Sequence, residues 1–132
     1  MRTGDLRIGN YVYVRMEKYP PDRPYRIEAI YSYMVMLRDM EKDETIECST
    51  PNLMGIPMTE SLLLQIGINK HLTKNHLLLG DMLVAGMENH KLTLFAYDED
   101  DHEYLKLMEI KYLHQLQNIY SACTGMELSV KL

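Results

Sequence analysis

Apolar and polar residues alternate over short runs in the first fifty residues, and turn-forming residues separate these runs. Strict alternation over residues 11–16 predicts a strand with one apolar face. Three prolines between residues 19 and 24 predict a loop. Residues 25–31, 33–37 and 45–48 predict further strands. Short strands joined by tight turns predict a small SH3-like sheet or partial barrel at the N-terminus.

A short central helix is predicted between residues 56 and 67. Thr59 is suited to the N-cap, Glu60 lies at the positive end of the helix dipole, and Gly67 favours the left-handed conformation that ends a helix. From residue 76 to residue 110, apolar runs alternate with polar turns. This pattern predicts a meander of antiparallel strands.

The most regular periodicity belongs to the last element. Apolar residues recur there at spacings of three and four, which predicts an amphipathic helix with one buried arc. The arc comprises Tyr112, Leu113, Leu116, Ile119, Tyr120 and Cys123. Gly125 is predicted to end the helix. The whole pattern predicts a single α+β domain over residues 1–132, mostly antiparallel, with possible subdomains at 1–50 and 56–132.

The composition is that of a folded chain. Of the 132 residues, 46% are apolar and 25% are charged, and the formal net charge is −5. A disordered chain would have fewer apolar residues and a larger net charge. No uncharged stretch reaches the roughly 18 apolar residues of a membrane-spanning helix, and the first residues contain no apolar run for a signal peptide. We therefore expect a soluble cytoplasmic protein that does not enter the membrane.

Positive charge is concentrated near the N-terminus. Residues 1–40 contain seven basic and five acidic side chains, including all six arginines, whereas residues 41–132 contain seven basic and fourteen acidic ones. An arginine cluster can mark a nucleic-acid or acidic-partner face, and aromatic rings can stack on bases. The candidate nucleic-acid face consists of Tyr11, Tyr13, Arg15 and Arg26. The alternative is that these arginines simply face solvent and are neutralised by neighbouring carboxylates.

The residues that could support catalysis or metal binding form no recognisable site. The acidic run over residues 98–103 fails as a calcium loop because Glu103 occupies the place where the loop requires glycine. The five histidines match no helical zinc spacing, and the two cysteines, Cys48 and Cys123, provide no zinc site or disulfide scaffold. No nucleophile-elbow, phosphate-loop or dinucleotide-binding motif is present. We predict no catalytic residues, no metal, no cofactor and no enzymatic activity.

One polar cluster on the last helix is unusual because it is uncharged. His114, Gln117, Asn118 and Ser121 project from neighbouring helical positions and carry several donors and acceptors. Such a face is suited to pairing with protein backbone, with a second copy of the helix or with nucleotide edges. The alternative is an internal polar network against the sheet.

Three blocks of the sequence resemble those of a known family. Residues 110–120 with residues 124–128 resemble the C-terminal signature of a family of small uncharacterised proteins from gut anaerobes and their prophages and mobile elements. Residues 6–12 and 55–60 agree with that family in the same order, although Leu62 replaces an aromatic residue. The resemblance implies one domain and a mobile-element setting, and it implies no activity.

These observations lead to two main functional hypotheses, ahead of a third in which the acidic run and a metal form an enzyme. The first is an accessory protein of a phage or mobile element that acts by protein interaction or self-association, without catalysis. The alternative is a nucleic-acid-associated factor that uses the arginine- and tyrosine-rich N-terminal sheet.

Overall fold

The computed structural model describes residues 1, 3–68, 70–73, 76–80, 83–88, 91–98 and 100–132. These residues form two compact units. Unit 1 comprises Met1–Pro57 and Tyr112–Asn118, and unit 2 comprises Met58–Lys111 and Ile119–Leu132. Arg2, Glu99 and parts of the two turns predicted at residues 80–81 and 88–91 lie outside the described residues.

Unit 1 contains a five-stranded antiparallel sheet in the order β4-β3-β2-β1-β5. The predicted strands are confirmed to within a few residues, and a fifth strand after a short 3₁₀ turn returns to pair with β1. The strands are β1 (Tyr11–Val14), β2 (Tyr25–Ile30), β3 (Met34–Asp39), β4 (Glu44–Ser49) and β5 (Leu53–Gly55).

The inner face of this sheet carries the core of unit 1. Alternate residues of β1, β2 and β3 are fully buried, as period-two patterning requires. The core comprises Leu6, Val12, Val14, Tyr25, Ile27, Val35, Leu37, Cys48 and Leu53. The apolar alternation read from the sequence therefore sets which face of each strand is inside.

A buried carboxylate ends β3. Asp39 is 4% exposed, and it accepts hydrogen bonds from the backbone N–H of Glu41 and Lys42 and from Arg23 at 3.0 Å. Burial acts to raise the pKa of this carboxyl, but the two N–H donors and the Arg23 guanidinium outweigh it and hold the pKa below its ordinary value. The carboxylate thus ties the β1–β2 loop to the β3–β4 turn.

Unit 2 contains a second five-stranded antiparallel sheet, in the order β10-β9-β8-β7-β6, and helix α1. Its elements are α1 (Glu60–Gln65), β6 (His71–Thr73), β7 (His76–Leu78), β8 (Leu83–Glu88), β9 (Lys91–Asp98) and β10 (Glu103–Ile110). The predicted helix signals are confirmed, because Thr59 Oγ1 accepts from the backbone N–H of Leu62 at 3.1 Å and Gly67 has φ +95°.

Helix α2 (Leu113–Thr124) is the longest helix of the described chain. Gly125 follows it with φ +72° and donates its N–H to the Ser121 carbonyl oxygen at 2.9 Å, which confirms the predicted end. Leu113 and Leu116 are fully buried. The prediction that Cys123 lies in the buried arc is wrong, because the buried stripe covers only the first turns and Cys123 is exposed.

The mixed α+β class with two antiparallel sheets is confirmed. The single domain over residues 1–132 stays a prediction, and the N-terminal stretch of unit 1 ends at Pro57. Within the described ranges, no helix has the length and apolar character needed to cross a membrane.

Candidate functional site

Gln117 of the predicted polar cluster binds the backbone that leads into β1. Its Oε1 accepts from the Tyr11 N–H at 3.0 Å, and its Nε2 donates to the Gly9 carbonyl at 3.0 Å. The side chain is 3% exposed. One amide thus pairs with both a backbone donor and a backbone acceptor of the segment that leads into β1.

Asn118 forms the second half of this network. Its Oδ1 accepts from Asn10 Nδ2 at 2.9 Å and from Arg7 Nε at 3.1 Å, and its Nδ2 donates to the Asp5 carbonyl at 3.1 Å. Asn10 is fully buried and also accepts from the Arg7 N–H at 2.7 Å. The cluster is therefore an internal network that holds residues 5–11 against the helix.

His114 is also inside, at 4% exposure. Its ring stacks on Tyr112 with centroids 5.7 Å apart, and its Nδ1 has no hydrogen-bond partner among the described residues. Burial lowers the pKa of His114, although the Asp5 carboxylate acts in the opposite direction. Ser121 is partly exposed, and its backbone carbonyl oxygen accepts from the Gly125 N–H. The predicted interaction face is thus wrong for His114 and Gln117, because both side chains are buried.

Three of the four predicted nucleic-acid residues, Tyr11, Tyr13 and Arg26, lie on the outer face of the unit 1 sheet, opposite the buried Val12 and Val14. Tyr11 pairs with Arg26, which in turn pairs with Arg38 on β3. Glu28 binds Arg26 at 2.8 Å and Arg38 at 2.9 Å, so both guanidinium groups are neutralised within the sheet. The hydrogen bond from Arg26 is the main reason that the pKa of Glu28 is low. This face therefore fits the alternative interpretation, in which neighbouring carboxylates neutralise the arginines.

Arg15 lies elsewhere, beside a groove that the sequence did not reveal. This groove, named here the Tyr19–Met54 groove, has a volume of about 370 Å³ and lies between the end of β1, the β1–β2 loop and β5. Its apolar lining is contributed by Met16, Tyr19, Pro21 and Met54, and Arg15 and Glu17 add one charge of each sign. Met16 and Tyr19 lie just before the prolines and could have indicated an apolar surface, but the sequence pattern predicted only a loop there.

The floor of the groove is anchored in the core of unit 1. Met16 and Tyr19 pack against the core cluster, and the Tyr19 ring meets the buried Tyr25 edge-on at 6.1 Å. Arg15 Nε lies 3.4 Å from Met54 Sδ, and the Arg15 N–H donates to the Asn52 carbonyl at 2.7 Å. The groove walls are thus held by packing and by the β1–β5 connection.

The residues considered for catalysis or metal binding remain dispersed. Cys48 is 2% exposed, its thiol donates to the Ser49 carbonyl, and burial raises its pKa, which is unfavourable for a nucleophile. Asp98 Oδ1 accepts from the N–H groups of Asp100 and Asp101, so this carboxylate shapes a hairpin turn. Across the described part of the chain, no three metal-ligating side chains come together.

A scan of protein-family models, a search of curated proteins and a search of solved structures each give no match to this chain.

Proposed function

We propose that this protein is a non-catalytic binding module that holds a segment of a protein partner in the Tyr19–Met54 groove. The observation that carries the proposal is the groove itself. It presents methionine, tyrosine and proline on the surface of a small sheet domain, at a place where the core fixes the walls. Aromatic residues and Met are enriched at protein interfaces, and Met adapts to irregular apolar partners.

The shape and chemistry of the groove favour a peptide segment over a small metabolite. Its lining offers two charged side chains of opposite sign and no buried polar group that would orient a small substrate. Arg15 and Glu17 stand at exposed positions. The expected occupant is an extended segment with one apolar anchor side chain, flanked by charges that pair with Arg15 and Glu17.

The charge of unit 1 argues against nucleic acid as the partner. Its sequence contains eight Lys and Arg against nine Asp and Glu, and Arg26 and Arg38 share the carboxylate of Glu28. Binding to phosphates draws its affinity from unneutralised basic side chains. The nucleic-acid hypothesis predicts retention on heparin at low salt; we expect the protein to flow through.

The biological setting is part of the same proposal. The sequence resemblance supports an accessory role in a phage or mobile element, and we propose a cytoplasmic location together with it. The return of β5 to β1 supports an SH3-like description of unit 1. The partner that fills the Tyr19–Met54 groove could also be a second copy of this chain, in which case the protein self-associates through the groove.

The experiment that tests the proposal selects binders from a library of displayed peptides and measures their affinity by calorimetry. Met54→Lys places a charge in the groove, and Pro21→Asp does so from the exposed loop side. Met34→Lys is the matched control, because Met34 is an exposed methionine on β3 of the same sheet. We expect selected peptides to share an apolar anchor, to lose at least tenfold in affinity with either groove variant, and to bind the control unchanged.

The proposal fails if no peptide is enriched and the protein sediments as a monomer at all concentrations. It fails equally if Met34→Lys weakens binding as much as the groove variants. Concentration-dependent association that Met54→Lys abolishes would identify a second copy as the occupant. Circular dichroism of each variant establishes that the fold is retained.

A further inference from the structure

Four rings gather on one face of the unit 2 sheet. Phe95 and Tyr97 occupy alternate positions of β9, and Tyr104 on β10 lies opposite Tyr97 with ring centroids 5.0 Å apart. His76 on β7 stacks on Tyr104 at 4.5 Å, and Phe95 meets His76 edge-on at 5.7 Å. His76, Phe95, Tyr97 and Tyr104 are named here the aromatic cluster.

The sheet topology explains how the cluster forms. Strand β8 separates β7 from β9, and the residue paired with His76 on β8 is Gly86, which carries no side chain. The imidazole crosses this strand to reach Phe95 and Tyr104. All four residues are partly exposed, so part of the aromatic cluster is accessible to a ligand.

The charges beside the cluster are mostly negative. The β9–β10 hairpin carries four exposed carboxylates among its described residues, at Asp98, Asp100, Asp101 and Glu103. His102 lies in the same turn, with its Nδ1 3.2 Å from the Tyr97 hydroxyl. The two lysines of β9 and β10 are Lys106, which pairs with Phe95 across the strands, and Lys91, which binds Glu109 at 3.9 Å at the end of the hairpin away from the turn. With Lys91 paired to Glu109, the four carboxylates near the turn outnumber Lys106, and this excess of negative charge attracts a cation and repels phosphate.

We propose that the aromatic cluster and the acidic hairpin bind a basic peptide segment, with an Arg or Lys side chain placed over the rings. The faces of aromatic rings attract cations electrostatically, and the carboxylates pair with the neighbouring basic residues of the same segment. Arginine is preferred to lysine because its planar guanidinium also stacks on rings. This surface belongs to unit 2 and is independent of the Tyr19–Met54 groove.

A structural role alone would explain aromatic rings that join neighbouring strands. It does not explain why the turn between Tyr97 and Tyr104 is so acidic, nor why Phe95, an apolar residue, is partly exposed. The two interpretations differ in a measurable property, because only a binding surface responds to the charge and planarity of an added peptide.

The test titrates the protein with hexa-arginine, hexa-lysine and an uncharged glycine–serine hexapeptide, by calorimetry at low salt and at 0.5 M salt. We expect hexa-arginine to bind more tightly than hexa-lysine, the uncharged peptide not to bind, and high salt to weaken binding. Phe95→Leu keeps apolar bulk and removes a ring, so it should reduce affinity about two- to fivefold. Phe95→Tyr keeps the ring and should bind like the parent.

The carboxylates are tested by the double variant Asp100→Asn with Asp101→Asn. Its matched control, Glu44→Gln with Glu47→Gln, removes the same charge from exposed positions on β4 of unit 1. We expect the hairpin variant to weaken binding and flatten its salt dependence, and the control to leave both nearly unchanged. Met54→Lys should also leave binding of hexa-arginine unchanged, which separates this proposal from the one on the groove.

The proposal is overturned if neither cationic peptide binds at low salt, or if the β4 control weakens binding as much as the hairpin variant. It is also overturned if Phe95→Leu binds hexa-arginine as tightly as the parent, because the attraction would then be charge alone. Should Phe95→Leu not fold, the comparison of hexa-arginine with hexa-lysine on the parent decides, and equal affinities refute a role for the rings.

Discussion

Replacing Asn118 by Ala tests the internal network directly. The side chain makes three hydrogen bonds, to Asp5, Arg7 and Asn10, all with a segment more than 100 residues earlier in the chain. The substitution removes all three and keeps the helix, because Ala has high helix propensity. Any loss of stability therefore reports the network.

The expected loss follows from what is left behind. Asn10 is fully buried, and its Nδ2 would lose the oxygen to which it donates. A buried donor without a partner costs about 1–3 kcal/mol. Arg7 is only partly buried and can return to water, so its lost bond adds less. We expect Asn118→Ala to lower the free energy of unfolding by about 2–3 kcal/mol.

The measurement is urea unfolding followed by tyrosine fluorescence and far-ultraviolet circular dichroism. Cys123→Ala is the control on the same helix, because Cys123 is exposed, and it should change the free energy of unfolding by less than about 0.5 kcal/mol. A double-mutant cycle with Asn10→Ala should give a coupling of about 1–2 kcal/mol between the two amides.

A small effect would refute this reasoning. If Asn118→Ala and Cys123→Ala both lie within about 0.5 kcal/mol of the parent, the amide faces solvent in solution. Asn118 would then again be a candidate interaction residue, as the sequence suggested.

Further perturbations check other parts of the structure. Gly55→Ala should cost roughly 1–3 kcal/mol, because a Cβ there overlaps the ring of Tyr112, with Cδ1 2.5 Å away; Gly4→Ala, which meets nothing within 4 Å, should be neutral in the same unfolding assay. Gly125→Val should cost about 1 kcal/mol or more, since a β-branched residue resists φ +72°, and an unchanged midpoint would show that the helix ends differently. The folded-state pKa of Asp39 is lowered, so its carboxylate stabilises the native state above its ordinary pKa of 3.8, and this contribution is lost as the pH falls through the folded value. Asp39→Asn should therefore make the free energy of unfolding fall less steeply with decreasing acid pH. An equally steep fall in the variant would argue against this role of Asp39. Millimolar calcium should leave the melting temperature unchanged, whereas a reproducible rise would reveal a site in the acidic hairpin.

The sequence by itself determined the local features of this protein. The alternation over residues 11–16 placed Val12 and Val14 inside, because side chains on a strand alternate between its two faces. Thr59 and Gly125 marked helix ends, because capping and positive φ depend on one or two neighbouring residues. The α+β class followed from these periodicities.

Only the tertiary structure decided which surfaces are available for binding. Gln117 was ambiguous in the sequence, since an uncharged polar side chain suits an interface and an internal network equally; its partner Gly9 lies 108 residues away. The Tyr19–Met54 groove depends on the pairing of β1 with β5, and the aromatic cluster depends on the order of β7 to β10. Strand register brings such residues together over long sequence separations, and no local pattern encodes it.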